Sequence, residues 1–274
     1  MADDRPKPWL PSTASSDCPV DAKAQEWVES SIRWFLGQFG TEVIYRDPVL
    51  PTADFLSRTG YSASVSEIEE LVARLCELML VDQGSFALEL YDGAAEKEEI
   101  SPSGKKRTVG HFSMASGRLV ISLDQRETAD PVLLTAIAVH ELCHLRLLGE
   151  GRIRSGRSDG ERLTDLLTVY FGFGIFSTNA AMRFTRAERG FTVVSRGLLD
   201  DRSLNAARRN EGYRRLGYLS SAEFGYALAC YCWVRGETEP PAWARYVNPG
   251  PRVHMEQGLA HLRRTTQPPA RTDG

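Results

Sequence analysis

Residues 140–144 read His-Glu-Leu-Cys-His, and the two histidines four apart are the strongest sign of chemistry in the chain. On a helix, positions i and i+4 lie one turn apart on one face, so His140 and His144 can reach a common ion. Zinc accepts imidazole nitrogens at about 2.0–2.1 Å, and a catalytic zinc site adds a third protein ligand and an open position for water. Glu141 is rotated about 100° from His140 around the helix, where its carboxylate can meet such a water without coordinating the ion. That is the mechanical meaning of H-E-x-x-H on a helix: two ligands and a general base. Ile137, Ala138, Val139, Leu142 and Leu145 surround the three polar residues, and an unpaired polar group in that setting is costly. The competing reading is a pair of core histidines satisfied by hydrogen bonds.

A third ligand must come from another element. Glu161 and Asp165, in E-R-L-T-D, are again four apart and share a helical face. In the preferred assignment Glu161 coordinates zinc, while Asp165 accepts a hydrogen bond from a ligand histidine and fixes its tautomer. The rival assignment gives Asp165 to the metal and leaves Glu161 in support. Asp159 is a more distant candidate. Without a metal role, Glu161 is a solvated first-turn residue complementing the helix dipole.

The elements that position these residues are legible in outline. Asp130-Pro131 is a start signal, an N-cap residue followed by proline, for a helix through VLLTAIAVHELCHLRLL to Leu148, with Gly149 just beyond its end. Residues 149–160 contain four glycines and no core pattern, which predicts an exposed loop. A second apolar helix starts near Asp159 and continues through ERLTDLLTVYFGFGIF. Upstream, residues 22–37 read as a helix with Trp27, Ile32, Phe35 and Leu36 as candidate buried positions. Pro48 and Pro51 interrupt the extended piece that follows. Ser64 and Glu67 have capping-box spacing before a helix from about 65 to 81. SFALELY (85–91) alternates like a half-buried strand, and residues 94–107 lack periodicity and read as a surface loop. TVGHFSM and RLVISL flank Ala115-Ser116-Gly117 as a hairpin. The remainder is mainly helical, with 221–234 the clearest segment.

His140-Glu141-Leu142-Cys143-His144 followed by Glu161-x-x-x-Asp165 resembles the zincin metallopeptidases, particularly those with a glutamate third ligand, and also resembles an uncharacterised bacterial family carrying an LTDLLTV-type helix after the zinc motif. The resemblance covers about residues 118–176, with a histidine-to-glutamate gap somewhat shorter than usual. It implies Zn2+ as cofactor and an α+β fold. That fold is a zincin-like core of a small mixed sheet plus the active-site helix, with a mainly helical C-terminal part. The strand before the active-site helix would form the upper rim of the cleft. RLVISL (118–123) is therefore expected to border the zinc with an unpaired edge that pairs with an extended peptide. Glycine is common at the third motif position in such proteins; Cys143 stands there instead and is read as inert core packing rather than as a ligand. Such enzymes also need a group to stabilise the oxyanion, often Tyr or His from the C-terminal half. Tyr218, Tyr226, Tyr231 and His254 are available, and the sequence does not choose among them.

The remaining features set limits. The 274 residues are 42% hydrophobic and 25% charged, ordinary globular composition with enough chain for a substantial core. A net charge of −3 gives no electrostatic case for nucleic acid or a membrane surface, and Lys105-Lys106-Arg107 and the arginines at 208, 209, 214 and 215 are too few to alter this. Cys18, Cys76, Cys143, Cys230 and Cys232 do not form a disulfide pattern, and Cys230-x-Cys232 lacks the second pair of a structural zinc site. MADDRPKPWLPS has no apolar core of signal-peptide type, and the apolar run Leu166–Phe176 is too short for a bilayer, so a reducing, cytoplasmic setting is expected. His111 is read as an ordinary strand residue. The expected organisation is a disordered tail over 1–20, a metal-binding core with the N-terminal helix over 21–180, and a helical subdomain over 181–274. The expected function is a zinc hydrolase, in particular a peptidase acting on peptide or protein substrates with Glu141 as base. The alternative is a non-catalytic regulatory or interaction protein that retains a structural zinc.

Overall fold

The computed structural model describes residues 18–56, 61–91, 110–115, 118–188 and 218–266. Most of the expected N-terminal tail, the loop at 94–107, Ser116-Gly117 of the hairpin turn and the arginines at 208, 209, 214 and 215 lie outside these residues, as does the side chain of His111. Within them the fold is mixed α+β, mostly helical, with one three-stranded sheet.

The helix carrying HELCH is the centre of the molecule. This helix, α5, spans Pro131–His144 and starts where Asp130 accepts the Val132 N–H at 2.9 Å. Its residues from Leu134 to Val139 are all buried, so it is apolar all round rather than amphipathic, the pattern of a helix enclosed on every side. It packs against strands β2 (Gly110–Ala115) and β3 (Arg118–Asp124) and against helices α4 (Val65–Met79), α6 (Gly160–Tyr170) and α7 (Gly174–Glu188). The stretch Pro131–Gly149 is long and apolar enough to cross a membrane by length and composition, but 67% of its most apolar window is buried inside the fold.

The helix does not stop in an ordinary way. Directly after His144 it widens into a π turn over Leu145–Gly149, closed by the Glu150 N–H on the Leu145 carbonyl at 3.0 Å. Arg146 fixes this turn. Its guanidinium donates to the Leu80 carbonyl at 3.1 Å and to Glu150, and it lies 5.1 Å from the ring centre of Phe39. Gly149 can close the turn because it has no side chain: a Cβ there would stand 3.0 Å from Leu119 Cδ1.

The sheet order is β1-β3-β2, with β1 (Phe86–Tyr91) parallel to β3 and β2 antiparallel to β3. The expected hairpin is therefore present, with Ala115 opposite Arg118. The expected free edge of RLVISL is not. β3 is paired on both sides, and β2 holds the outer position among the described residues. Alternation in a single strand reports which face is buried and says nothing about lateral order, so the sequence could not distinguish centre from edge.

The second apolar helix also differs from expectation, because it is two helices. Gly172 adopts φ +84° between α6 and α7, and the Phe173 N–H returns to the Thr168 carbonyl at 2.9 Å, closing α6 as a glycine-capped end. The Gly172 carbonyl accepts the Val49 N–H at 3.0 Å, which ties this break to the N-terminal third of the chain. Where an extended piece was expected, Ala53–Leu56 form the one-turn helix α3 and, before it, residues Thr41–Tyr45 form the short helix α2. Its end is satisfied from far away: Arg235 donates to the carbonyls of Ile44 and Arg46 at 2.7 and 2.5 Å.

Helix α1 (Ala22–Phe39) lies against α6 and against α8 (Ser221–Val234). Ile32 and Phe35 are buried as expected, whereas Trp27 and Leu36 are only partly so. Helices α8 and α9 (Pro249–Thr265) run side by side at close range: a Cβ on Gly225 would meet the Pro251 carbonyl oxygen at 2.6 Å, and one on Gly258 would meet Ala229 Cβ at 2.7 Å. One apolar cluster runs from Val28 of α1 to Leu262 of α9.

Candidate metal centre

His140 and His144 project from the last turn of α5 toward the first turn of α6. Glu161 Oε2 stands 3.4 Å from His140 Nε2 and 3.2 Å from His144 Nε2. The three donor atoms lie within 4.8 Å of one another, the one group of three or more such side chains among the described residues that could hold a metal ion. Ligands bound at 2.0–2.1 Å on the corners of a tetrahedron stand about 3.3 Å apart, which the two carboxylate–imidazole distances bracket. Two imidazoles and a carboxylate, set with that spacing, fit a zinc site of the HExxH type. The Glu161 side chain is 44% exposed against 13% and 12% for the histidines, so the group opens to solvent on the Glu161 side.

Each imidazole is held from behind. Asp165 is nearly fully buried, and its Oδ1 lies 3.1 Å from His140 Nδ1. With Nδ1 turned to Asp165, Nε2 is the nitrogen directed at Glu161. The other oxygen of Asp165 accepts backbone N–H groups from Tyr218 and Leu219, the latter at 3.1 Å. Both carboxylate oxygens are thus engaged on the Nδ1 side of His140, away from the three converging donors. For His144 the corresponding neighbour is Thr164, whose hydroxyl donates to the Gly160 carbonyl at 2.9 Å and stands 3.4 Å from His144 Nδ1. Phe112 of β2 stacks on the His144 ring with planes 15° apart.

The electrostatics follow from this pairing. Burial pulls the His140 pKa down, but the hydrogen bonds to Asp165 and Glu161 and the nearby carboxylates outweigh it and push the group up to about 10. Burial alone would raise Glu161, yet the two imidazoles hold it far below the usual carboxylate range. The folded His140 value lies above its ordinary 6.5, so this pairing stabilises the metal-free fold fully below that pH and is lost as pH rises through about 10. A bound metal ion takes the place of the proton, which makes metal affinity fall with acidity.

Glu141 is 6% exposed and lies beneath the start of β2. Gly110 makes that approach possible, since a Cβ on it would stand 2.8 Å from Glu141 Oε1 and 2.7 Å from Ile137 Cγ2. Gly110→Ala is therefore expected to lift β2 from α5, destabilising the fold by about 1–3 kcal/mol in urea unfolding, the usual cost of overpacking. Unchanged stability would mean that the strand has slack here.

The sequence-predicted residues divide cleanly. His140, His144 and Glu161 come together, Asp165 stands behind His140, and Glu141 lies beside them under β2. Asp159 points elsewhere, accepting the indole N–H of Trp27 at 2.8 Å and both arms of Arg157. Cys143 is buried, and so are Cys230 and Cys232. Tyr226 donates to Glu29 at 2.6 Å and Tyr231 to the Arg46 carbonyl at 3.2 Å, so both hydroxyls serve the packing of α8. His254 pairs with Gln257 on α9. Of the four proposed oxyanion groups, Tyr218 is the one whose backbone is bonded to a residue of the site. Thr164, Phe112 and Gly110 were missed by sequence reasoning. Thr164 carried a signal, being a polar residue between Glu161 and Asp165 on an apolar helix. Phe112 and Gly110 depend on how a distant strand crosses α5, and no local pattern announces that.

No family model, curated protein or solved structure matches this chain.

Proposed function

We propose that this chain is a zinc-dependent hydrolase with a zincin-like core, acting as a peptidase on peptide or protein substrates. The observation that carries the reading is the convergence of His140 Nε2, His144 Nε2 and Glu161 Oε2 on one point, with Glu141 next in line on the same helix. Zinc, when bound, supplies Lewis acidity toward an amide carbonyl and toward water. The remaining work falls to the chain. Asp165 and Thr164 hold the imidazoles with their Nε2 atoms presented. Glu141 takes a proton from the attacking water and delivers it to the departing amine, the exchange expected of a single general base–acid. The outer edge of β2 serves the role first expected of β3: Gly110 adjoins Glu141 and Phe112 adjoins His144, so an extended substrate pairing along that edge passes the reacting groups.

The net charge of −3 supports neither a nucleic-acid nor a membrane partner. All five cysteines are free, which agrees with a reducing, cytoplasmic setting. The test is metal analysis followed by incubation with a peptide library. About one zinc per chain and cleavage that a chelator abolishes and added zinc restores are expected. Zinc without cleavage of any peptide would favour a regulatory protein with a structural metal.

A further inference from the structure

We infer that Trp27, on the N-terminal helix, is a positioning residue for the metal centre, acting on Glu161 through Asp159. The inference rests on the metal reading above.

Glu161 is the second residue of α6, in the first turn, where helices fray and where four N–H groups lack intrahelical partners. A side chain at the N-cap normally steadies such a turn. Asp159 occupies that position but makes no capping hydrogen bond. Its carboxylate turns outward instead, accepting the Trp27 Nε1–H at 2.8 Å and a two-pronged contact from Arg157 at 2.5 and 3.0 Å. On the other side of Glu161, the Arg162 guanidinium lies 4.2 Å from the Trp27 ring centre. Its outer nitrogen pairs with Glu223, the residue whose Oε2 accepts the Ser220 N–H at 2.7 Å at the start of α8.

One indole thus holds both flanks of the metal-facing glutamate, by an N–H bond on one side and by its ring face on the other. Glu161 is too exposed to be fixed by its own packing; the Gly160 N–H on the Arg157 carbonyl at 3.1 Å and the Thr164 hydroxyl on the Gly160 carbonyl at 2.9 Å steady the backbone of this turn, and the side chains flanking Glu161 are tied to Trp27. The partners are far apart in sequence: Trp27 belongs to an element that reads as plain amphipathic packing. An indole N–H directed at a carboxylate is charge-assisted, stronger than a neutral pair, and its loss frees the start of the helix.

The experiment measures zinc affinity by competition with a chromophoric chelator. Trp27→Phe keeps a ring beneath Arg162 and removes the N–H, and it is expected to weaken zinc about 10-fold, the low end for one hydrogen bond to a charged group. Asp159→Ala, at a partly exposed position, should give a similar loss and add little to Trp27→Phe. The decisive arm is the Glu161→Ala background, in which Trp27→Phe should change the residual affinity no further. Wild-type affinity in Trp27→Phe, or an equal loss with and without Glu161, overturns the inference while leaving the metal site intact. A wild-type protein that binds no zinc overturns the metal reading and this inference together.

Discussion

Glu141→Gln is expected to keep its zinc and its fold while hydrolysis falls at least about 10²-fold, the low end for loss of a general base. The amide matches the carboxylate in size, so the narrow space beneath Gly110 and beside Ile137 accommodates it without moving β2. It cannot take a proton at neutral pH. Glu141 is not one of the three converging donors, so metal content should not change. The measurement compares new termini produced by wild type and variant from a peptide library, alongside zinc content. Equal cleavage by both proteins would remove Glu141 from the chemistry. Loss of zinc from the variant would instead make it part of the metal's surroundings.

His140→Ala or His144→Ala should abolish zinc binding, since each removes one of the three donors that converge among the described residues. Full zinc occupancy in the double alanine variant would end the metal reading altogether. The same assay ranks the two carboxylates of α6. Glu161→Ala should release zinc at concentrations that saturate the wild type, leaving only the weak residual affinity of two histidines, because its Oε2 stands within 3.4 Å of both Nε2 atoms. Asp165→Asn should weaken binding about 10–100-fold, since it disturbs only the support of one imidazole. The geometry gives a reason for that order. Asp165 reaches His140 at Nδ1 and spends its second oxygen on two backbone amides, so it has neither the position nor a spare oxygen for the metal. The opposite ranking would exchange the roles of Glu161 and Asp165.

Much of this centre was legible in the sequence because helical periodicity is local. Four-residue spacing on one helix predicted the shared face of His140 and His144, and the same spacing on the next predicted Glu161 and Asp165. The Asp130-Pro131 start and the Ser64–Glu67 capping box were likewise local signals, and both elements begin there. What failed was non-local. The position of β3 inside the sheet depends on a parallel partner from residues 86–91, and no feature of RLVISL encodes it. The short helix at 41–45 is completed by an arginine 191 residues beyond Ile44. The break at Gly172 was written in Phe-Gly-Phe-Gly, but glycine within an apolar helix pattern reads either as packing or as a stop, and the bond from Val49 decides it.

The bond from Asp165 to the backbone of Tyr218 and Leu219 has a consequence for biosynthesis. The two partners are 53 and 54 residues apart, and a chain grows from its N-terminus at about 5–20 residues per second. At that rate the α6 carboxylates leave the ribosome about 3–11 s, and the two histidines about 4–16 s, before the amides that anchor Asp165. During that interval His140 has a carboxylate neighbour that is itself untethered. On the metal reading proposed above, a nascent chain would present His140, His144 and Glu161 before Asp165 is anchored, and the fully supported site would be complete only when the lead-in to α8 has docked.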